Sequence, residues 1–311
     1  MAAHIDHDLL LRLARSPADA EGLEGINRDR HRILAGEQLQ SPGELIELSL
    51  DLTPVGDPWA VSPRLDLQLR SDLASASLDT FLEIFRDHAH ARIPGFRGED
   101  GGTVVDLGAN EGYYSLAMLR RNPDIRVLAV EALAEHVALL KANLFRSETT
   151  AMVIHAAVVA GADEAAQSGS ATLQVYPHVG SITSFDMRAF PRPWVRPERI
   201  QTRRVPARSL ETILDAAGID EASLLKADLE GAEAAIFPDS VPVLRRFRRM
   251  VVECHGAAAR DAVTAAAESA GFRLLHAEGR RSGDCYFERR PSSRAAGYSP
   301  AADTSPPPSS G

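Results

Sequence analysis

The chain has 311 residues, 44% of them hydrophobic, and a formal net charge of −9. Its length fits one large domain or a core with an appended piece, and its composition is that of a soluble globular protein. The negative balance argues against general binding to nucleic acid or acidic membranes, and no apolar run reaches the roughly 20 residues that a membrane span needs.

The first residues, MAAHIDHDLLLRLARSPADAEG, lack the basic start and continuous apolar centre of a secretion signal, so a cytoplasmic location is expected. Residues 1–50 are expected to be helical, because DLLLRLA and GELIELSL carry apolar residues at helical spacing. DPWAVSPRLDLQLRS alternates and contains prolines, the pattern of short strands or an edge hairpin. SLDTFLEIFRDHAHA returns to a helical pattern with Leu78, Phe81, Leu82 and Phe85 on one face, and the glycine-rich GFRGEDGG reads as a linker.

From Gly102 strands and helices alternate. TVVDL, DIRVLAVEA and MVIHAAVV read as strands, with EGYYSLAMLRR and LAEHVALLKANLF as helices between and after them. The alternation breaks over 161–208, where GSATLQVY and RIQTRRVPA read as strands around a segment rich in Pro and Arg. It resumes with SLETILDAAG (helix), SLLKADLE (strand), GAEAAIF (short helix), RMVVECH (strand) and ARDAVTAAAESAG (helix). FRLLH and GDCYFE are too close together for a parallel crossover and should pair as an antiparallel hairpin at the sheet edge. RRFRR before the fifth major strand reads as a surface turn. The last residues, 291–311, have the composition of disorder.

The expected fold is therefore α/β, with a mostly parallel seven-stranded sheet covered by helices on both faces. It has a helical and short-strand extension over 1–100, a core over 101–290 interrupted at 161–208, and a tail. A parallel sheet closed by an antiparallel hairpin resembles the Rossmann-like fold of class I methyltransferases, which use S-adenosylmethionine (SAM). The two cysteines, Cys254 and Cys285, form no CxxC pair or zinc spacing and are expected as buried small hydrophobes.

In such a sheet ligands bind beyond the carboxyl ends of the strands. Asp106 ends the first core strand, and Gly108 and Gly112 bracket the turn GANEG. The spacing lacks the third glycine of a dinucleotide fingerprint, and Glu111 sits where a pyrophosphate would approach. SAM carries no phosphate, and Asp106 would suit its ammonium group. Glu131, at the end of the second strand, can accept hydrogen bonds from ribose hydroxyls. Small residues of HAAVV, Ala157 among them, fit a flat adenine ring.

Lys226, Asp228 and Glu230 alternate along the fourth strand, where a buried parallel strand normally carries few charges. Glu253 and His255 alternate along the next and should reach the same cleft mouth. Glu233, in a first helical turn, suits the helix dipole. A carboxylate or histidine here could take a proton from a methyl acceptor. The same cluster could instead hold a divalent metal, such as magnesium, that lowers an alcohol's pKa.

VVDLGANEGYYS, AVEAL, HAAVV, SLLKADLEGAE and VVECHG, in this order, resemble the FkbM-type methyltransferase family over about Gly102–Phe287. The LLKADLEGAE stretch is the most specific element. Glu111, Ala132 and Ala227 depart from the family's usual residues. The resemblance implies SAM as cofactor and O-methylation of sugar or natural-product hydroxyls. It assigns Asp106, Gly108, Asn110 and Gly112 to the cofactor loop and Glu131 to the ribose. Lys226, Asp228, Glu230 and Glu233 occupy the signature segment, and Asp228, Glu230 and His255 are the catalytic candidates. The acceptor is expected to be a small molecule, with no nucleic acid or membrane partner. Arg188, Arg192, Arg196, Arg199, Arg203, Arg204 and Arg208 suit an anionic one. Tyr176, His178, Phe185, Phe190 and Trp194 could line its pocket. Two other readings share these features: an NAD-dependent oxidoreductase and a non-catalytic SAM-binding protein.

Overall fold

The computed structural model describes residues 7–34, 43–55, 63–176, 183–184, 197–280 and 282–291. Outside them lie the tail 292–311, part of the proline-containing segment (56–62), and His178, Phe185, Arg188, Phe190, Arg192, Trp194 and Arg196.

The extension begins with helices α1 (His7–Leu13) and α2 (Pro17–Leu34). GELIELSL, expected as helix, is instead strand β1 (Leu45–Asp51), paired antiparallel with β2 (Arg64–Arg70). Its period is two: buried Leu48 and Leu50 alternate with Glu47, Ser49 and Asp51, and Leu65, Leu67 and Leu69 answer from β2. Helix α3 (Ala74–Phe85) buries Leu78, Phe81, Leu82 and Phe85, as its spacing predicted. Each such side chain contributes roughly 1.5–3 kcal/mol.

GFRGEDGG is not a loose linker. Phe96 is fully buried edge-to-face on Tyr286, with ring centroids 5.0 Å apart. Arg249 reaches from the core to the Gly95 carbonyl, Asp100 and Glu288. Arg249 closes the RRFRR run, which starts a strand at Phe247 and so is more than a surface turn.

The core continues with β3 (Thr103–Leu107), α4 (Tyr113–Arg121), β4 (Arg126–Glu131), α5 (Ala134–Arg146) and β5 (Met152–His155). Next come β6 (Ala157–Val159), α6 (Glu164–Ser168), β7 (Ser170–Val175), β8 (Thr183–Ser184) and β9 (Gln201–Ser209). After α7 (Leu210–Ala216) follow β10 (Ala222–Ala227), α8 (Glu233–Asp239), α9 (Val241–Leu244) and β11 (Phe247–Cys254). Helix α10 (Ala257–Ser269), β12 (Phe272–Ala277) and β13 (Gly283–Arg289) end the order. Among the described residues the main sheet has seven strands in the order β12-β13-β11-β10-β3-β4-β5. Its central strands are parallel, and β13 runs antiparallel between β11 and β12, the expected closing hairpin.

MVIHAAVV is two strands rather than one. After the Ala156 amide bonds the Glu131 carbonyl, Ala157 leaves the main sheet and pairs with Ala207 of β9. A second sheet, β6-β9-β7-β8, thus begins beside the carboxyl end of β4. Asp228, Glu230 and His255, expected on strands, lie just beyond them, because β10 ends at Ala227 and β11 at Cys254. Glu230 and Gly231 take positive φ, 50° and 101°, which turns the chain into α8. Both cysteines are buried, as expected. Among the described residues no helix is long and apolar enough to cross a membrane.

Candidate functional site

The loop after β3 and the loop after β10 cross in contact. Gly108 has φ +71°, and a Cβ placed on it would overlap the carbonyl oxygen of Asp228. Its conformational freedom is thus required by the neighbouring backbone as well as by any ligand. The Asp228 amide donates to the Leu107 carbonyl at 3.1 Å, and the Gly108 amide to Val130 at 3.0 Å. Lys226, almost wholly buried, donates through Nζ to the carbonyls of Gly108 (2.8 Å) and Leu107 (3.3 Å).

Asp106 serves this crossing. It is fully buried, accepts from Ser115 Oγ at 2.7 Å and lies 3.2 Å from Lys226 Nζ. Burial alone would lower the Lys226 pKa, but the charges of Asp106 and Asp228 outweigh it and raise it. Asp106 is thus ion-paired with Lys226 inside the protein, at the crossing of the two loops.

Glu111 also points inward. It is buried, accepting from Ser77 Oγ (2.6 Å) and Tyr113 OH (2.9 Å), and burial raises its pKa. The argument that Glu111 repels a pyrophosphate at the loop therefore fails. Gly112, at φ +89°, is needed for packing: a Cβ there would come 3.0 Å from Leu140 of α5.

Glu131 stands where its sequence position suggested. One oxygen accepts the Asn110 amide at 2.9 Å and the other the Leu133 amide at 2.8 Å, with His136 Nδ1 at 3.7 Å. Burial opposes ionisation, but His136 and the two amides outweigh it, so the pKa is lowered and the carboxylate is charged. Asn110 acts through its backbone, at φ +50°, to fix this acid. A carboxylate has about four acceptor positions, so two amides leave room for hydroxyls. Glu131 lines a cleft of about 450 Å³, solvent at its mouth included, together with Gly108, Ala132, Ala156, Ala157, Val158, Leu173, Asp228 and Glu230. Of the sequence candidates, Gly108, Glu131, Ala157, Asp228 and Glu230 thus share one cavity.

At the acidic end, Glu233 is fully buried and accepts through Oε1 from the Leu229 amide (3.0 Å), the Gly231 amide (3.3 Å) and His255 Nδ1 (3.0 Å). It does more than favour a helix dipole: it ties the turn and orients the imidazole. His255 Nε2 then faces Glu230 at 3.5 Å, Glu253 at 3.9 Å and Asp228 at 4.0 Å. Burial would depress the imidazole, but Glu233, Asp228 and Glu230 outweigh it and lift the group to about 10. His255 is therefore a cation at neutral pH in this arrangement. The charge of Asp228, then burial, pushes Glu253 up to about 7.

Sequence reasoning missed His90. It precedes the core in a left-handed turn (φ 62°), donates its amide to Asp284 and places Nδ1 2.8 Å from the same carboxylate. Its Nε2 lies 4.0 Å from Glu253. Asp284 is 194 residues away in sequence, so no local pattern announces the pair. Arg203 and Arg204 are exposed on β9, and Tyr176 is buried at the end of β7.

The family model described as Methyltransferase FkbM domain matches residues 106–274. A search of the curated proteins gave no match. Among solved structures, the chain is similar to a precorrin-6y C5,15-methyltransferase from Geobacter metallireducens GS-15, with TM-score 0.35 and 10% identity over 61% of this chain and 80% of that one. It is similar also to Aeropyrum pernix fibrillarin in complex with S-adenosyl-L-methionine, with TM-score 0.37 and 12% identity over 78% and 88%. A third is a ribosomal protein L11 methylase from Lactobacillus delbrueckii subsp. bulgaricus, with TM-score 0.36 and 13% identity over 60% and 70%.

Proposed function

The chain belongs to the methyltransferase FkbM domain family, and from that premise we propose that it transfers a methyl group from SAM to a hydroxyl, or a carboxylate, of a small molecule. The family sets aside the oxidoreductase reading. The observation that carries the proposal is the single cleft with two unlike walls. Glu131 and the small residues Ala132, Ala156 and Ala157 form one, and Asp228 and Glu230 the other.

The cofactor fits the first wall. Glu131 is ionised and held by two amides, ready to accept from a ribose diol. Ala156, Ala157, Val158 and Leu173 offer an apolar slot for an adenine ring. When bound, SAM supplies an electrophilic methyl on a sulfonium, whose C–S electrons stay with the departing sulfur. The residues of the second wall orient the acceptor oxygen toward that methyl. A carboxylate of Asp228 or Glu230 accepts the acceptor's proton, and His255, bonded to Glu233, holds those carboxylates in place by charge.

The net charge of −9 disfavours a polyanionic acceptor. Arg203 stands opposite the cleft residue Leu173 in the β7–β9 register, which supports a small anionic acceptor. A cytoplasmic location accords with such a metabolite.

Calorimetry with SAM, S-adenosylhomocysteine and NAD tests the cofactor. Binding of either adenosyl compound supports the reading, and NAD binding in the absence of both sinks it. A labelled-methyl screen of metabolite pools, read by mass analysis, then identifies the acceptor. A chain that binds SAM but labels nothing would be a non-catalytic binder.

A further inference from the structure

One face of helix α5 holds the loop after β3 and the acid at the end of β4. His136, Leu140 and Asn143 follow one another at helical spacing, and all three are buried. Leu140 would come within 3.0 Å of a Cβ at Gly112. Asn143 donates to the Glu111 carbonyl at 3.0 Å and accepts the Gln68 amide at 2.7 Å. His136 places Nδ1 3.7 Å from Oε1 of Glu131. We propose that His136 is a positioning residue of the cofactor site: a buried cation behind the cleft wall that keeps the Glu131 carboxylate charged and in place for the ribose, and so couples nucleoside binding to proton uptake. This rests on the methyl-transfer reading, in which Glu131 accepts from the ribose of SAM.

The helix itself does not require this charge. His136 is in the first turn of α5, where a cation opposes the helix dipole. Acids from three segments favour it instead: Glu131 at the end of β4, Glu111 in the loop after β3, and Glu135 beside it on α5. Arg70 of β2, paired with Asp72 at 2.6 Å, offsets Glu111 and Glu135. Ser77 and Tyr113 bond Glu111 without adding charge. Burial would lower the His136 pKa, but the hydrogen bond and charge of Glu131 outweigh it, together with Glu111 and Glu135, and raise it. The two amides that hold Glu131 are neutral, and His136 adds the positive charge. Glu131 lines the cleft and His136 does not, so the effect of the imidazole on a ligand passes through the acid.

A nucleoside in the cleft covers Glu131 and displaces water from it. Attraction between charges strengthens as water leaves, so the complex holds the His136 proton more tightly than the free protein does. By reciprocity, binding takes up protons above the ordinary imidazole value of 6.5, and affinity falls as pH rises through the raised His136 pKa.

The test uses the full-length chain and 5′-methylthioadenosine, which carries the ribose and no group that titrates near neutral pH. Calorimetry at about pH 8, in two buffers of different ionisation enthalpy, reads proton uptake. Uptake is expected for the unaltered chain. It should be lost in His136→Gln, with affinity lowered at least about fivefold and the pH profile of binding flattened. In a Glu131→Gln background, His136→Gln should cost no further affinity, a result that a packing defect would not reproduce. Circular dichroism verifies folding, and if His136→Gln does not fold, loss of proton uptake in Glu131→Gln is the deciding measurement. Equal proton uptake in the unaltered chain and either folded variant, or an equal loss of affinity with and without Glu131, overturns the role of His136 while nucleoside binding stands. Failure of the unaltered chain to bind methylthioadenosine, SAM or S-adenosylhomocysteine would overturn the methyltransferase reading and this inference with it.

Discussion

Gly108 joins two requirements at one atom, a left-handed backbone and no room for a Cβ beneath the Asp228 carbonyl. Gly108→Ala should therefore cost at least about 3 kcal/mol, read as a lowered urea midpoint, and should abolish S-adenosylhomocysteine binding in any protein that still folds. Glu131 is the neighbouring case, where the fold fixes the acid for a ligand. Charged hydrogen bonds contribute about 1.5–3 kcal/mol each, so Glu131→Ala should weaken S-adenosylhomocysteine binding roughly 10- to 100-fold by calorimetry. An unchanged affinity would remove Glu131 from the cofactor site. Asp106 is different again. With Lys226 matching its charge inside the protein, Asp106→Asn leaves a buried ammonium short of its partner, and the loss should appear in thermal stability as well as in binding.

At the scale of elements, the extension is fastened to the closing hairpin by His90 and Asp284. Burial would lower the His90 pKa, but Asp284 outweighs it and raises the group to about 9. A raised pKa means stabilisation that is complete below the unfolded value of about 6.5 and lost as pH rises through about 9. Asp284 has the opposite sign. Its pKa is lowered by His90 against the effect of burial, to about 2, so its share is present above about 3.8 and lost as pH falls through about 2. The pair is therefore strongest between about pH 4 and 6.5. His90→Gln should lower stability by about 3 kcal/mol near pH 6 and flatten the decline between pH 6.5 and 9. The part of that slope owed to His255, raised to about 10, should persist. Melting temperatures across pH for both proteins measure this, and parallel curves would show that His90 carries no such charge.

At the scale of the molecule, one hydrophobic cluster runs from Leu9, Leu13 and Leu23 through Leu48, Leu67, Phe81 and Phe85 to Tyr113, Leu116, Met118 and Leu140 of the core. The extension covers the α4–α5 side of the sheet as part of the same core, which the reading of residues 1–100 as an appendage did not anticipate. Removing residues 1–100 should expose this face and give an aggregated or loosely packed product, visible as lost near-ultraviolet dichroism and dye binding. A soluble, cooperatively melting fragment would show that the core is self-sufficient. The family match begins at Asp106, so the segment carrying His90 lies outside it.

The parallel core was legible because its pattern is local. Continuous apolar runs such as TVVDL and LAVE, set between helices with one apolar face, mark buried parallel strands, and the short gap before GDCYFE forced an antiparallel closure. β1 was misread for the opposite reason: its few apolar residues fit either period until β2 supplies the partner face. Glu131, Asp228 and Glu230 could be placed at one cleft, with His255 beside Glu230, because strand ends in such a sheet share an edge. Whether a given acid faces that cleft is another matter. Asp106 and Glu111 look equally available in VVDLGANEG, yet Lys226 and Ser115 enclose the first, and Ser77 and Tyr113 the second. By itself the sequence determined the order of the main-sheet strands and helices from β3 onward, the family and the types of charge brought to the cleft, since these follow from periodicity and residue chemistry along the chain. The tertiary structure alone decided which charges are spent inside the protein, how His90 reaches Glu253, and that four carboxylates meet around one imidazole. Those are distances between segments far apart in sequence, and only packing fixes them.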